Sequence, residues 1–125
     1  MQLLVLRGEL AVARLNPTDP IPDWVTPAPI SSITRTRDEL SIVCEAASVP
    51  AAVRAERGWR CLRVAGSLDF SLTGVLASIA APLANAGVSI FAISTYETDY
   101  VLVREPSVAA AIDCLAAAGH EVAAG

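Results

Sequence analysis

The loop from Gly66 to Gly74 is the stretch of this chain where small-molecule chemistry is most plausible. Its sequence is GSLDFSLTG, and it follows a strand-like run that ends at Val64 and precedes a run with helical spacing. A helix that begins there exposes backbone N–H groups and the positive end of its dipole, which can hold a carboxylate. Asp69 can accept a hydrogen bond from an ammonium group. This combination suits a free amino acid.

The same residues also have a purely structural interpretation, because glycine, serine and aspartate are the usual residues of turns and helix caps. Ser71 is a good N-cap for a helix that begins near Leu72, and Thr73 adds a second hydroxyl. Gly66 and Gly74 let backbone approach a ligand closely, or simply form turns. The loop is not a phosphate-binding P-loop, because the chain has no lysine. The pattern alone leaves both interpretations open.

No catalytic or metal-binding constellation accompanies this loop in the sequence. Glu97 and Asp99 flank a short turn, and we expect them to be solvated because no nucleophile or histidine lies near them. His120 is the only histidine and is expected on the surface, so a zinc site would need scattered ligands. The three cysteines are isolated in apolar sequence and are expected as buried, reduced thiols. We therefore predict a protein that is not an enzyme and has no metal or cofactor.

Length and composition limit the remaining classes. The 125 residues are 54% hydrophobic and 18% charged, which fits one compact unit or two small subdomains with a real core. The net charge of -4 argues against a nucleic-acid partner, which needs a basic footprint. No apolar run is long enough to span a membrane, and Arg7 and Glu9 interrupt the N-terminal one, so it is not a signal peptide. We expect a cytoplasmic protein without a membrane partner.

The N-terminal half predicts two β-hairpins separated by a proline-rich loop. Leu3 to Leu6 and Leu10 to Leu15 are close enough to form a hairpin that turns near Arg7 to Glu9. Asn16 to Pro29 holds five of the eight prolines, so we expect an ordered loop, pinned to the core by Ile21, Trp24 and Val25. The second predicted hairpin joins Ile30–Thr36 to Glu39–Cys44.

The C-terminal half alternates strand and helix signals. A strand is predicted from Trp59 to Val64, then a helix whose apolar residues recur at helical spacing as far as Leu83. Pro82 interrupts this helix and leaves the carbonyl of Ser78 without its usual donor, so a kink is expected. Gly87 is the predicted stop.

The next run, Val88 to Ser94, is nearly continuously apolar, which predicts a strand buried on both faces. A turn and a return strand, Asp99 to Arg104, follow it. A second helix ends at Gly119, and a short strand begins after it. The order βαββαβ predicts a ferredoxin-like, four-stranded antiparallel sheet with two helices on one face. The fold class is therefore α+β.

Three segments resemble the ACT domain family. They are GSLDFSLTGVLASIAAPLANAGVSIFAISTYETDYVLVRE in the C-terminal half, and ELAVARLNPTDPIPDW and SITRTRDELSIVCE in the N-terminal half. The resemblance is to small tandem-ACT bacterial proteins, which are aspartate-kinase-like and related to the eukaryotic cytosolic arginine sensor. It implies a degenerate, mostly β ACT-like unit over residues 1–58 and a complete ACT domain over residues 59–125.

The resemblance also implies a function and a site. ACT domains are regulatory modules that bind free amino acids or similar small metabolites, usually between two ACT units, so a homodimer is expected. The family's ligand site corresponds here to the loop, the helix start and the second strand: Asp69, Phe70, Ser71, Leu72, Thr73, Gly74, Ser89 and Ile90. This chain carries no catalytic domain, so it would sense a ligand or regulate a partner enzyme in trans. The alternative is a structural dimerisation module that has no ligand.

Overall fold

The computed structural model describes residues 1–27, 29–69 and 73–125. In chain order the elements are β1 (Gln2–Val5), β2 (Leu10–Leu15), β3 (Ser32–Arg35), β4 (Leu40–Glu45), β5 (Ala55–Val64), α1 (Val75–Asn85), β6 (Ile90–Ser94), β7 (Asp99–Arg104), α2 (Val108–Ala117) and β8 (Glu121–Ala124). Short 3-10 turns cover Ala46–Ser48 and Glu105–Ser107. The chain divides into unit 1, Met1–Arg7 with Arg60–Gly125, and unit 2, Gly8–Trp59.

Unit 1 has the predicted βαββαβ order and the ferredoxin-like α+β fold. Among the described residues its sheet has five strands, in the order β6-β7-β5-β1-β8. The predicted four-stranded sheet is therefore wrong in one respect, because β1 lies between β5 and β8. Leu3 of β1 is opposite Val64 in an antiparallel pair and opposite Val122 in a parallel pair. Leu3 is fully buried there, and this burial explains the insertion.

The predicted N-terminal hairpin is also wrong. β2 pairs with β4 and β5, with Ala13 opposite both Ile42 and Ala55, whereas β1 pairs within unit 1. The segment around Gly8 thus connects two units instead of turning a hairpin. The sequence predicted a single boundary after residue 58. The structure instead groups Met1–Arg7 with Arg60–Gly125. Sequence proximity favoured the hairpin, but pairing with distant strands decided the outcome.

The two helices of unit 1 bury the apolar stripes that their spacing predicts. α1 contributes Ile79 and Leu83, and α2 contributes Ala111 and Leu115; all four are at most 1% exposed. They form one core cluster with the inner face of the sheet, which includes Leu3, Leu62, Val64, Val101 and Val103. Burying such side chains is the main favourable contribution to folding, roughly 1.5–3 kcal/mol each.

Helix α1 begins at Val75 and not near Leu72 as predicted. Gly74 occupies the N-cap position with φ of 76°, in the left-handed region, and a helix cannot run through that conformation. The N-cap assigned to Ser71 lies outside the described residues.

Both helices stop just before the glycines that the sequence predicts as their stops, Gly87 and Gly119. Each glycine has a positive φ, 73° and 97°, and each is followed by an N–H that reaches back to the helix. Val88 donates to the carbonyl of Leu83 at 2.9 Å, and His120 donates to that of Leu115 at 3.0 Å. These are Schellman motifs, which satisfy carbonyls that the helix leaves without donors.

The carbonyl of Ser78, which lacks its usual donor because residue 82 is proline, has another polar group beside it. Nε2 of His120 lies 2.9 Å from that oxygen. Because a carbonyl oxygen only accepts, the imidazole nitrogen facing it carries the proton. His120 is half-buried, and its contact with Ser78 links it to α1, a role that its expected position on the surface did not predict.

Strand β6 corrects another expectation. The run around it was predicted to be buried on both faces, but β6 pairs only with β7 among the described residues, and Ala92 and Ser94 are exposed. The more deeply buried strand is β7, whose Val101 and Val103 are at most 1% exposed. β7 has a partner on each side, β5 and β6. Apolar sequence alone does not distinguish an edge strand from a central one.

Unit 2 is built from β3, β4, β2 and the first residues of β5, in that order. The second predicted hairpin is confirmed, with Ile33 opposite Ile42. Its core cluster contains Ala11, Ala13, Leu40, Ile42, Cys44, Ala46 and Val49. Trp24 and Val25 of the proline-rich loop pack against this cluster, as predicted, whereas Ile21 is 56% exposed.

The cysteines are free, and two of them are buried as expected. Burial raises the pKa of the Cys61 thiol to about 12, and burial also raises the pKa of the Cys44 thiol. Cys114 is half-buried. In the part of the chain that the structure describes, no three metal-ligating side chains converge, and no helix is both long and apolar enough to cross a bilayer.

Candidate functional site

A cavity of about 140 Å³ lies in unit 1 where the loop before α1 meets the turn between β6 and β7. The loop contributes Leu68 and Asp69, and the helix contributes its first residue, Val75. The turn contributes five consecutive residues: Thr95, Tyr96, Glu97, Thr98 and Asp99. The cavity therefore adjoins the loop that the sequence singled out, and the turn supplies most of its lining.

Hydrogen bonds fix the loop against the turn. The N–H of Leu68 donates to the carbonyl of Glu97 at 2.7 Å, and Ser67 Oγ donates to the Glu97 carboxylate. Thr98 is 5% exposed, and its hydroxyl donates to the carbonyl of Val64 at 2.8 Å, at the end of β5. Because these bonds join the two segments on either side of the cavity, its walls are held in place without a ligand.

The turn itself is closed by its two threonines. Thr95 N–H donates to the Thr98 carbonyl at 2.9 Å, and the Thr95 hydroxyl lies 3.1 Å from the same oxygen. Ser94 Oγ donates to Asp99 Oδ1 at 2.6 Å. Tyr96, which is 78% exposed, lies between the two threonines of this turn. An aromatic ring in that position can contact whatever approaches the cavity.

The charge of the lining is entirely negative. Asp69, Glu97 and Asp99 line the cavity, and the part of its lining that the structure describes holds no arginine or histidine. Glu97 and Asp99 were expected in a solvated turn that contributes to ligand selectivity, and they are not among the binding residues that the family resemblance implies. The signal that would have found them is topological: in a β-α-β unit the loop after the first strand and the end of the second strand lie at the same edge of the sheet. Such a lining attracts cationic groups.

The start of α1 adds hydrogen-bond donors beside these carboxylates. The first intrahelical bond joins Ser78 N–H to the carbonyl of Gly74 at 2.9 Å. The N–H groups of residues 75–77 therefore have no acceptor within the helix. Among the described residues no side chain caps the helix, and its first turn holds no acidic residue. The positive end of a helix favours an anionic group.

Of the predicted loop residues that the structure describes, only one lines the cavity. Asp69 lines the cavity, while Thr73 and Gly74 are exposed beside it and do not. The predictions for Phe70, Ser71 and Leu72 fall outside the described residues.

The two predicted strand residues do not join this cavity within one chain. Ile90 is opposite Val103, whereas Ser94, four residues later, is opposite Asp99 at the end near the cavity. Four residues of strand span about 13 Å, at roughly 3.3 Å each. Ser89 precedes Ile90 and is exposed. The predicted crevice between the start of β6 and the start of α1 therefore does not form in a single copy.

Solved structures resemble this chain over nearly its whole length. A protein from Agrobacterium tumefaciens is 40% identical, with a TM-score of 0.92 over 97% of this chain and 90% of that one. A Vibrio cholerae protein described as a possible transport protein has a TM-score of 0.75 at 20% identity, over 94% of this chain and 88% of that one. The aspartate kinase regulatory subunit of Thermus thermophilus has a TM-score of 0.60 at 13% identity, over 94% and 96%. The last two likenesses concern the fold alone.

Curated relatives match a shorter part of the chain. The rat cytosolic arginine sensor for mTORC1 subunit 1 is 43% identical over 58 residues, which is 46% of this chain. The human sensor is 41% identical over the same length. In both cases the match spans only 18% of the relative's own length.

Two family models together account for most of the sequence. A model of an N-terminal domain matches residues 8–52, within unit 2. The ACT domain model matches residues 54–117, which is half of the chain and includes both helices and the cavity. With the ferredoxin-like fold of unit 1, this match establishes that the chain belongs to the ACT domain family.

Proposed function

We propose that this chain is a non-catalytic regulatory module that binds a free amino acid at the cavity of unit 1. The observation that carries the proposal is that hydrogen-bond donors suited to a carboxylate lie beside carboxylates suited to an ammonium group. The start of α1 offers N–H donors for a carboxylate, and Asp69 and Asp99 offer acceptors for an ammonium group. An α-amino acid carries both groups on one carbon.

The charge of the lining favours an amino acid with a cationic side chain. One carboxylate suffices for the α-ammonium group, and the described lining of the cavity carries three. A second positive group on the ligand would use the remaining carboxylates. The likeness to arginine sensors, though it covers a short segment of them, supports the same class.

We further propose that a second copy of the chain completes the site through β6. The outer edge of β6 has no partner strand among the described residues, and the strand is apolar, with neither proline nor charge to block pairing. A two-fold antiparallel pair centred on Ala92 would place Ser94 of one copy opposite Ile90 of the other. Ser89 and Ile90 would then reach the turn end of the neighbouring copy, which is where the predicted site requires them.

Regulation follows from linkage in such an assembly. A ligand held by the loop of one copy and the strand of another favours the paired state by its difference in affinity for the two states. A partner enzyme that recognises the pair would respond to the ligand in trans. The cytoplasmic location expected from the sequence belongs to the same proposal.

Calorimetry and thermal shift against the twenty amino acids test the ligand proposal. We expect stabilisation by a cationic amino acid, amounting to about 2.7 kcal/mol when the ligand is at 100 times its Kd. Asp69→Asn should weaken binding at least tenfold, about 1.4 kcal/mol, because it removes the charge that faces the ammonium. Asp113→Asn, on the exposed face of α2, is the matched control. An unchanged affinity in Asp69→Asn would refute the site.

A charge exchange tests the assembly. Ala92→Arg and Ala92→Glu each place like charges directly opposite one another in the two-fold pair, and we expect each variant alone to be monomeric by light scattering. Mixing the two should restore a dimer. If either variant alone remains dimeric, β6 does not form the interface. A dimer that no amino acid stabilises would favour the alternative, a structural assembly module without a ligand.

A further inference from the structure

Strand β3 forms an edge of the sheet of unit 2, and the proposed function does not use it. Among the described residues β3 pairs only with β4, so one of its two sides has no neighbouring strand. Its four residues, Ser32–Arg35, include no proline, and their register against β4 runs without a bulge. Proline and bulges are features by which proteins block the pairing of an open edge. This edge is therefore able to accept another strand.

The register of the hairpin shows which backbone groups face the open side. Thr36 N–H donates to the carbonyl of Glu39 at 2.9 Å, which makes these two residues a hydrogen-bonded pair. Hydrogen-bonded and non-hydrogen-bonded pairs alternate along an antiparallel ladder. Thr34 is therefore hydrogen-bonded to β4, whereas Ile33 and Arg35 are not. The N–H and carbonyl groups of Ile33 and Arg35 thus point away from β4, toward the open side.

Local hydrogen bonds hold the end of this edge in place. The hydroxyl of Thr36 accepts from the N–H groups of Asp38 and Glu39, both at 3.1 Å, and so fixes the turn. The guanidinium group of Arg35 donates to the backbone carbonyl of Pro17. Because these contacts exist without a partner, an incoming strand would meet a preformed edge, and binding would cost less ordering entropy.

The side chains of this edge combine an apolar surface with a positive charge. Ile33 is opposite Ile42, which is fully buried, so both lie on the face that carries the core of unit 2. Ile33 is nevertheless 42% exposed. Arg35 is exposed and lies two residues along the strand, on the same face. Its contact with Pro17 is to a neutral carbonyl, so that contact leaves the charge of Arg35 in place.

The charge of the strand indicates which kind of segment it would accept. Arg35 ends β3, and the exposed Arg37 follows it, whereas the nearest carboxylates in sequence, Asp38 and Glu39, belong to the turn and the start of the other arm. Opposite charges directly across from one another stabilise paired strands, and like charges destabilise them. A second copy of β3 would bring the same positive charge, whereas an acidic segment would bring a carboxylate. Charge complementarity therefore favours an acidic strand.

We propose that the open edge of β3 binds an extended acidic segment of a partner protein, which joins the sheet of unit 2 as an antiparallel strand. Main-chain hydrogen bonds to Ile33 and Arg35 supply the affinity, and alternate side chains supply the specificity. A carboxylate of the segment lies opposite Arg35, and an apolar residue two positions later lies opposite Ile33. The recognised pattern is an acidic residue, any residue, then an apolar residue.

The test is a titration of the full chain with a peptide of five residues, blocked at both ends: threonine, glutamate, threonine, valine and threonine. We expect the amides of Ile33 and Arg35 to exchange rapidly in the free chain and slowly with the peptide, while that of Thr34 is protected in both states. A peptide with lysine in place of glutamate should bind at least tenfold more weakly. N-methylation of the valine should abolish binding, because its N–H points toward β3. N-methylation of the central threonine, whose N–H points away, should be tolerated.

Two variants test the same edge from the side of the protein. Ile33→Pro removes an N–H that β4 does not use, so it should abolish binding without unfolding the hairpin. Arg35→Glu should reverse the preference, so that the lysine peptide binds more tightly than the glutamate peptide. Arg7→Glu, the same charge change at an exposed residue of unit 1, is the matched control and should leave both affinities unchanged.

Three outcomes would overturn the proposal. Equal binding of the glutamate and lysine peptides would mean that charge does not select the segment. Full binding of the peptide methylated at valine would mean that it does not join the sheet as a strand. The third outcome is an absence of protection by the peptide, or protection of Ile33 and Arg35 that rises with the concentration of the chain alone. It would mean that the edge takes no acidic segment, or that a second copy occupies it.

Discussion

In both units one face of the sheet is covered, but different kinds of segment cover it. In unit 1 two helices cover it, and their buried residues recur at helical spacing. In unit 2 a proline-rich loop and a 3-10 turn cover it, with Trp24, Val25 and Val49 as the residues that reach the core. A helix that packs on a sheet has apolar residues at periodic spacing in its sequence, whereas a loop that packs on a sheet has no such period. The first was therefore predictable in detail and the second only in outline.

The two units also place their cavities differently. The unit 1 cavity lies at the end of a sheet, where backbone bonds join a loop to a turn and helix N–H groups are available. Unit 2 has a cavity of about 220 Å³ that is lined by residues of paired strands, among them Arg14 of β2 and Ser41 of β4. Sites of the first kind can exploit backbone dipoles, whereas those of the second depend on side-chain charge alone.

The largest expected effect comes from truncating one core residue in each unit. Leu83→Ala in unit 1 and Ile42→Ala in unit 2 should each lower the free energy of unfolding by about 2–5 kcal/mol, because both side chains are fully buried. Amide hydrogen exchange of the surrounding unit measures the loss. Ile21→Ala, at a residue that is 56% exposed, is the control. If Ile42→Ala cost less than half of Leu83→Ala, the loop-covered core would be the less tightly packed one.

A second prediction concerns Arg57, which holds the segment around Ala46 and Val49 in unit 2. Arg57 donates from Nη1 to the carbonyl of Ala46 at 3.0 Å and from Nη2 to that of Val49 at 3.1 Å. Arg57→Ala should destabilise the chain by about 2 kcal/mol, because hydrogen bonds from a charged group contribute about 1.5–3 kcal/mol. Chemical denaturation gives the value. Arg54→Gln serves as the comparison and should change stability little; equal losses in both variants would contradict the role of Arg57.

The helix stops of unit 1 should show a smaller and purely conformational effect. Gly87→Ala and Gly119→Ala each force a side chain into the left-handed region and should cost about 1–2 kcal/mol. Beyond the neighbouring residues of the chain, no heavy atom lies within 4 Å of the added Cβ at either position, so a tertiary clash does not contribute. Asparagine tolerates this conformation, so the corresponding Asn variants should recover part of the loss in thermal unfolding. No recovery would point to a cause other than backbone conformation.

The smallest effect is expected at the bond between His120 and Ser78. His120→Ala removes the donor that replaces the N–H missing at Pro82, at a cost of about 1 kcal/mol. In a Pro82→Ala background the helix supplies its own donor to that carbonyl, so the same substitution should cost less. A double-mutant cycle measures the difference. Equal costs in both backgrounds would show that His120 stabilises unit 1 in some other way.

The amino-acid sequence determined the features that depend on local physics. The stripes that end in Leu83 and Leu115, the stops at Gly87 and Gly119 and the βαββαβ order all follow from side-chain spacing and backbone preference. The helix start near Leu72 was placed too early, because the positive φ of Gly74 was not evident from residue type alone. Asp69 was identified as a candidate because it precedes a helix, and the structure places it in a cavity.

Tertiary structure alone decided which distant segments meet. It put β1 between β5 and β8, made the apolar β6 an edge strand, brought His120 to Ser78, and brought the turn with Glu97 and Asp99 to the loop of Asp69. Each of these is a choice between partners far apart in the chain, and residue type constrains such choices only weakly. Strand pairing and burial are energies of the whole unit, so they cannot be assigned to any short stretch of sequence.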